Sequence, residues 1–83
     1  GGVTEMQVRV EFIGPIARGD WAAKQDFSLD VGTVLRDFLV SIGYEREHVE
    51  HIIVVRNGKI TKDLETVLED GDHLSLSVLL GGG

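Results

Sequence analysis

Eighty-three residues with 42% hydrophobic and 27% charged side chains make one globular domain with a single modest core. No apolar run approaches the ~20 residues of a membrane span, and the absence of cysteine excludes disulfides, thiolate nucleophiles and persulfides on this chain. Fourteen acidic against eight basic residues give a net charge of −6, which disfavours nucleic acid and anionic membrane and suits a partner with a basic docking face.

Gly1 to Glu5 lacks the basic and apolar regions of a signal peptide and reads as an appended or processed leader ahead of a domain over residues 6–80, with Met6 as the start. From Met6 to Phe12 the chain alternates: Met6, Val8, Val10 and Phe12 on one side, Gln7, Arg9 and Glu11 on the other. That spacing predicts a half-buried strand. Gly14-Pro15 ends it and Ile16 to Trp21 reads as a loop. A second strand is predicted over Ala23 to Leu29, with Phe27 and Leu29 inward, forming a hairpin with the first.

The period then changes. Val34, Leu35, Phe38, Leu39 and Ile42 form one apolar stripe on a helix. Thr33 is the expected N-cap, and Gly43 the expected left-handed C-terminal residue. Tyr44 to His51 is polar and expected to be irregular. Ile52 to Val55 is the most β-branched run, and Asn57-Gly58 after it is the preferred pair for a type I′ hairpin turn, so Lys59 to Lys62 should return as a short strand. Asp63 to Leu68 is expected to hold a brief helical turn. Asp70-Gly71-Asp72 is a tight turn, and His73 to Leu80 is the last strand, Leu74, Leu76 and Val78 alternating with Ser75 and Ser77.

Strand, strand, helix, strand, short strand, strand predicts an α+β fold. One helix covers one face of a mixed sheet of four to five strands, in the β-grasp arrangement with first and last strands adjacent at the centre. Val55-Arg56-Asn57-Gly58, then Leu68-Glu69-Asp70-Gly71-Asp72, then Leu79-Leu80-Gly81-Gly82-Gly83 resembles the sulfur-carrier branch of the ubiquitin-like proteins. These are the small subunit of molybdopterin synthase (MoaD) and the thiamine-pathway sulfur carrier (ThiS). Such proteins end in two glycines; here there are three.

The resemblance implies a carrier rather than an enzyme. An adenylating enzyme of the ubiquitin-activating kind would use ATP to activate the carboxylate of Gly83, or of Gly82 after trimming. Sulfur would then be carried as a thiocarboxylate and delivered to a synthase for molybdopterin or thiamine precursors. The alternative is a protein modifier joined through the same glycine to lysines of target proteins. The glycines suit this chemistry independently: a C-terminal carboxylate is ionised at neutral pH, and Gly81 and Gly82 thread a narrow channel because they carry no side chain. No bound cofactor and no metal are expected, and a cytoplasmic setting fits the lack of cysteine.

Docking is expected on the sheet. Ile52 to Val55 is apolar on both faces although a sheet with one helix layer needs only one, so Ile53 and Val55 should point away from the helix near Leu79 and Leu80. The expectation is an apolar patch there with an acidic rim, or else coverage of that surface by the Ile16–Trp21 loop. His48 and His51, beside Glu47 and Glu50, have a spacing that could bring two metal ligands together, but no third ligand is evident and a solvated loop is favoured. Asp70 and Asp72 are assigned to their turn rather than to acid–base chemistry, and Lys24, Lys59 and Lys62 to solubility rather than conjugation.

Overall fold

The computed structural model describes residues 5–79. Of the expected leader, Gly1 to Thr4 lie outside them, whereas Glu5 opens the first strand; Leu80, the last residue of the expected domain, and the expected tail Gly81, Gly82 and Gly83 also lie outside.

Alternation in the first segment produces β1, Glu5–Phe12, with Met6, Val8, Val10 and Phe12 all buried. It pairs antiparallel with β2, Lys24–Asp30, Val8 facing Phe27 and Met6 facing Leu29. The last strand, β5 at His73–Val78, lies parallel to β1 on its other side, with Val10 opposite Leu74 and Phe12 opposite Leu76. Between them in sequence come α1, Leu35–Ser41, a 3₁₀ turn at Val49–His51, β3 at Ile52–Arg56 and β4 at Lys59–Ile60. The sheet order is β2-β1-β5-β3-β4, so the first and last strands form the centre.

The helix lays Leu35, Phe38 and Leu39, all fully buried, against the inward side chains of β1, β5 and Val54. Its C-terminus follows the expectation. Gly43 has φ +121, its N–H donates to Val40 O, and the Tyr44 N–H donates to Leu39 O. This double closure satisfies two terminal carbonyls and needs a residue free to enter positive φ.

The N-terminus does not. Thr33 makes no capping bond; its hydroxyl donates to the Asp30 carbonyl at 2.7 Å, and Val34 occupies the cap position. The free helix amides are met from a distance in sequence instead: Leu35 N–H donates to Thr66 O and Arg36 N–H to Leu64 O, each at 2.8 Å. A bridge between Val34 and Val67 holds that segment in place. For the same reason 63–68 is not helical. Asp63 starts a single reverse turn, accepting from Thr66 N–H through its carbonyl and from Glu65 N–H through its carboxylate, and the chain then runs extended across the start of α1.

Other departures are small. β2 begins and ends one residue later than expected, and β4 is two residues rather than four. The polar stretch 44–51 hides a core residue, Val49, which the 3₁₀ turn buries completely. Asn57 and Gly58 have φ +52 and +87, the two positive values of the expected type I′ turn.

Candidate functional site

The site is the end of β5 together with the sheet face opposite α1. β3 alternates about Val54, which is buried against the helix side; Ile53 and Val55 therefore belong to the other face, where they lie opposite Ser77 and Ser75 of β5. The hairpin register puts Ile60 opposite Val55, on the same face, and Ile60 is 67% exposed. Ile13 continues the alternation of β1 beyond Phe12, its N–H donating to Leu76 O, and is 43% exposed. Leu79 follows β5 directly and is 82% exposed.

The structure thus brings Ile53, Val55 and Leu79 to one side of the sheet and adds Ile13 and Ile60, which the sequence reading missed although strand alternation and hairpin register would have placed both. Leu80 and Gly81 to Gly83 lie outside the described residues.

The loop after β1 does not cover this face. Ile16 is buried in the core on the helix side. Tyr44 donates from its hydroxyl to Ala17 O, and Trp21 donates from Nε1 to Ile42 O at 3.0 Å. The Trp21 ring stands edge-on to Phe27 with centroids 5.0 Å apart. These bonds strap residues 16–21 to the C-terminal end of α1. The rim also differs from the expected acidic one: beside Leu79 it includes Glu50 but also His51 and Lys62.

At the other end of β5 sits a polar cluster built from the motif residues. The Asp72 side chain is 5% exposed. It accepts from Arg56 Nε at 2.8 Å, Asn57 Nδ2 at 2.9 Å and Glu69 N–H at 2.8 Å. Burial pushes its pKa up, but those three hydrogen bonds and the Arg56 charge outweigh burial and hold the carboxyl below its ordinary range. Asn57 also accepts from His73 N–H and donates its own N–H to His73 O. Asp70 accepts from Gln7 N–H at 2.7 Å, while Gly71, at φ +86, donates to Gln7 O. Both aspartates serve structure, and the two motifs form one latch joining β1, the β3–β4 turn and β5.

The histidines come close only to neighbouring carboxylates: His48 is 3.6 Å from Glu45 and His51 is 4.0 Å from Glu50, all exposed. Among the described residues no three His, Asp or Glu side chains gather to hold a metal, and no helix is long and apolar enough to cross a membrane.

A five-stranded mixed sheet with parallel central β1 and β5 and one helix across it is the ubiquitin-like β-grasp fold. Among solved structures, SAMP1 from Haloferax volcanii is similar with a TM-score of 0.69 and 20% identity, over 93% of this chain and 99% of that one. The Haloferax volcanii HVO 2177 protein gives 0.76 and 20%, over 100% and 92%. The complex of subunits 1 and 2 of the molybdopterin-converting factor from Helicobacter pylori 26695 gives 0.59 and 27%, over 94% and 100%. No family model matches the sequence, nor does any curated protein.

Proposed function

We propose that the chain is a carrier protein activated at its C-terminal glycine, and that it carries sulfur there. The observation behind this is a run of three glycines directly following Leu79-Leu80, just past β5, on a chain without cysteine. In the reaction, the glycine carboxylate oxygen attacks the α-phosphorus of ATP and pyrophosphate leaves, forming an acyl-adenylate on a ubiquitin-activating-like enzyme. A hydrosulfide-equivalent donor then attacks the acyl carbon and AMP leaves, giving the thiocarboxylate. Delivery to molybdopterin or thiamine-precursor synthesis follows, and the likeness to a molybdopterin-converting factor complex supports the former.

The chain itself supplies the tail and the docking face. Ile53, Val55 and Leu79, with Ile13 and Ile60, offer apolar area beside the point where the tail departs; Leu80 is proposed to extend it. An adenylating enzyme seated there would hold Gly81 and Gly82 extended and Gly83 at the nucleotide.

Intact mass after co-expression with an adenylating enzyme and a sulfur donor tests the reading. A gain of about 16 Da marks oxygen replaced by sulfur at an activated acyl group. Ladders on a denaturing gel without that gain would replace sulfur carriage by conjugation to lysines, and an unchanged mass without ladders would remove both. Docking is tested separately. Leu79→Glu places a charge in the apolar contact while its exposed site leaves the fold intact, so affinity for the adenylating enzyme should fall about tenfold or more. An unchanged titration would remove the face from the account.

A further inference from the structure

The two edges of the sheet are unlike. β4 offers two residues. β2 offers seven, in unbroken register with β1 and without proline, and among the described residues no strand lies on its outer side. Which of its backbone groups are open follows from β1. Arg9 N–H and Ile13 N–H donate to Asp72 O and Leu76 O on the β5 side, whereas Phe12 N–H donates to Ala23 O at 2.7 Å. Backbone groups of successive residues point to opposite edges, so Met6, Val8 and Val10 also face β2, and their register partners Leu29, Phe27 and Gln25 face back. Lys24, Asp26, Ser28 and Asp30 therefore turn their N–H and C=O groups outward. Two of those carbonyls are in use: Asp30 O accepts from the Thr33 N–H at 3.1 Å and the Thr33 hydroxyl at 2.7 Å, and Asp26 O accepts from Gln25 Nε2 at 3.3 Å. The outward N–H groups and the Lys24 and Ser28 carbonyls make no bond to another described residue.

The side chains of this edge complement themselves. Lys24, Asp26, Ser28 and Asp30 stand on the face away from α1, opposite Glu11, Arg9, Gln7 and Glu5. Asp26 is held by Arg9 at 2.8 Å and Ser28 by Gln7. Lys24 and Asp30, at the two ends, are exposed and make no ion pair among the described residues. Asp30 also lies opposite Glu5, a like-charged cross-strand pair that is unfavourable without a cation beside it. On the helix side Phe27 and Leu29 are only half-buried, and Trp21 stands edge-on to Phe27.

We propose that a second copy of this chain pairs with that edge, β2 against β2, antiparallel about a two-fold axis at Phe27. Such a contact uses the same surface on both copies. Outward residues must meet outward residues, so neighbouring registers place the axis one residue away, and charge selects among them. With the axis at Phe27, Lys24 lies opposite Asp30 of the second copy and Asp26 opposite Ser28. An axis at Asp26 sets that aspartate against itself, and one at Ser28 sets Asp26 against Asp30. In the favoured register Asp26 N–H meets Ser28 O, Ser28 N–H meets Asp26 O and Asp30 N–H meets Lys24 O, each formed twice, without calling on the occupied Asp30 carbonyl. The second copy's lysine relieves Asp30 of its repulsion with Glu5. Phe27 meets Phe27 across a non-hydrogen-bonded position, where cross-strand side chains are closest. A long edge without proline or bulge invites such pairing. The contact is smaller than the ~1,200–2,000 Å² of a stable interface, so the dimer is weak, with a dissociation constant on the order of 0.1–1 mM. Neither the glycines nor the Ile53–Leu79 face takes part, so the inference stands apart from the proposed carrier chemistry.

The test is sedimentation of the full chain over a concentration series, with amide spectra of the isotope-labelled chain at the same concentrations. The chain should pass from monomer at low micromolar towards dimer near millimolar, with shifts concentrated at residues 24–30. Lys24→Asp alone and Asp30→Lys alone should each weaken the dimer about tenfold or more, since each turns both end pairs into like charges. An equimolar mixture of those two variants should associate again, because each copy then meets the opposite charge at both ends. A chain monomeric at every concentration, which would leave the edge to a foreign strand, would overturn the proposal. So would a dimer whose shifts centre on Ile53 and Leu79, one indifferent to charge reversal, or a mixture that fails to recover.

Discussion

Removing Gly82 and Gly83 is expected to leave the folding transition in place and abolish ATP-dependent adenylation. Every buried apolar side chain among the described residues lies between Met6 and Leu76, so the deletion takes nothing from that core and the thermal midpoint should not move. Reach is what changes. Two extended residues span about 7 Å, and a misplacement of even 1 Å at a reacting centre can cost on the order of a hundredfold in rate. Pyrophosphate exchange with an adenylating enzyme of the source organism measures this directly and should fall at least about a hundredfold. Deleting Gly83 alone then decides the reacting residue: activity that survives marks Gly82 as the mature end, and activity that vanishes marks Gly83. Adenylation of the double deletion at the rate of the intact chain would end both the carrier and the modifier readings.

Asp72→Ala should be among the most destabilising single changes in the domain. The carboxylate is nearly sealed from solvent and answers three donors at 2.8–2.9 Å. Removing it leaves Arg56 without its partner and the Asn57 and Glu69 donors unmet. Breaking a buried pair by deleting one member costs about 3–5 kcal/mol. Arg56 keeps 23% side-chain exposure and can recover some hydration, so the lower end of that range is expected in chemical denaturation at pH 7.

The sign of the pH dependence follows from the lowered pKa of Asp72. A carboxyl depressed in the folded state contributes its full stabilisation above the unfolded value of about 3.9 and loses it as pH falls through the lower folded value. The gap between wild type and Asp72→Ala should therefore be constant near neutrality and shrink below about pH 4. A gap that persists unchanged into acid, or no gap at neutral pH, would show that the latch is not held by the charged form.

Asp72 also marks what sequence reading reaches and what it does not. β1, α1 and the Asn57-Gly58 hairpin were legible because each is specified locally: period two, period 3.6, and a turn pair suited to positive φ. From these the strand order and the two-sided character of β3 followed. Features that depend on remote partners were not legible. Thr33 has the right chemistry for a cap, but the carbonyls of Leu64 and Thr66, some thirty residues on, occupy the amides it would have met. Val49 is a lone apolar residue in a polar run, and no periodicity announces its burial.

Asn57-Gly58 and Asp70-Gly71-Asp72 carried the resemblance, yet in space they hold the fold together at the far end of β5 from Leu79. Of the candidate site, Ile53, Val55 and Leu79 were readable from alternation.

The latch also gives β5 a fixed origin. Leu74 and Leu76 face the helix only in the present register, and a slip of one residue would turn them outward and Ser75 and Ser77 inward. With Asp72 and His73 pinned to Asn57, the strand works as a ruler whose zero is the Asp-Gly-Asp turn and whose last mark is Leu79. The fold thereby meters which residue leaves the sheet, and so, under the proposed function, how much chain the adenylating enzyme would receive. An inserted residue within 73–78 would have to disturb either the core or that count, whereas the same insertion after Leu79 would alter the count alone.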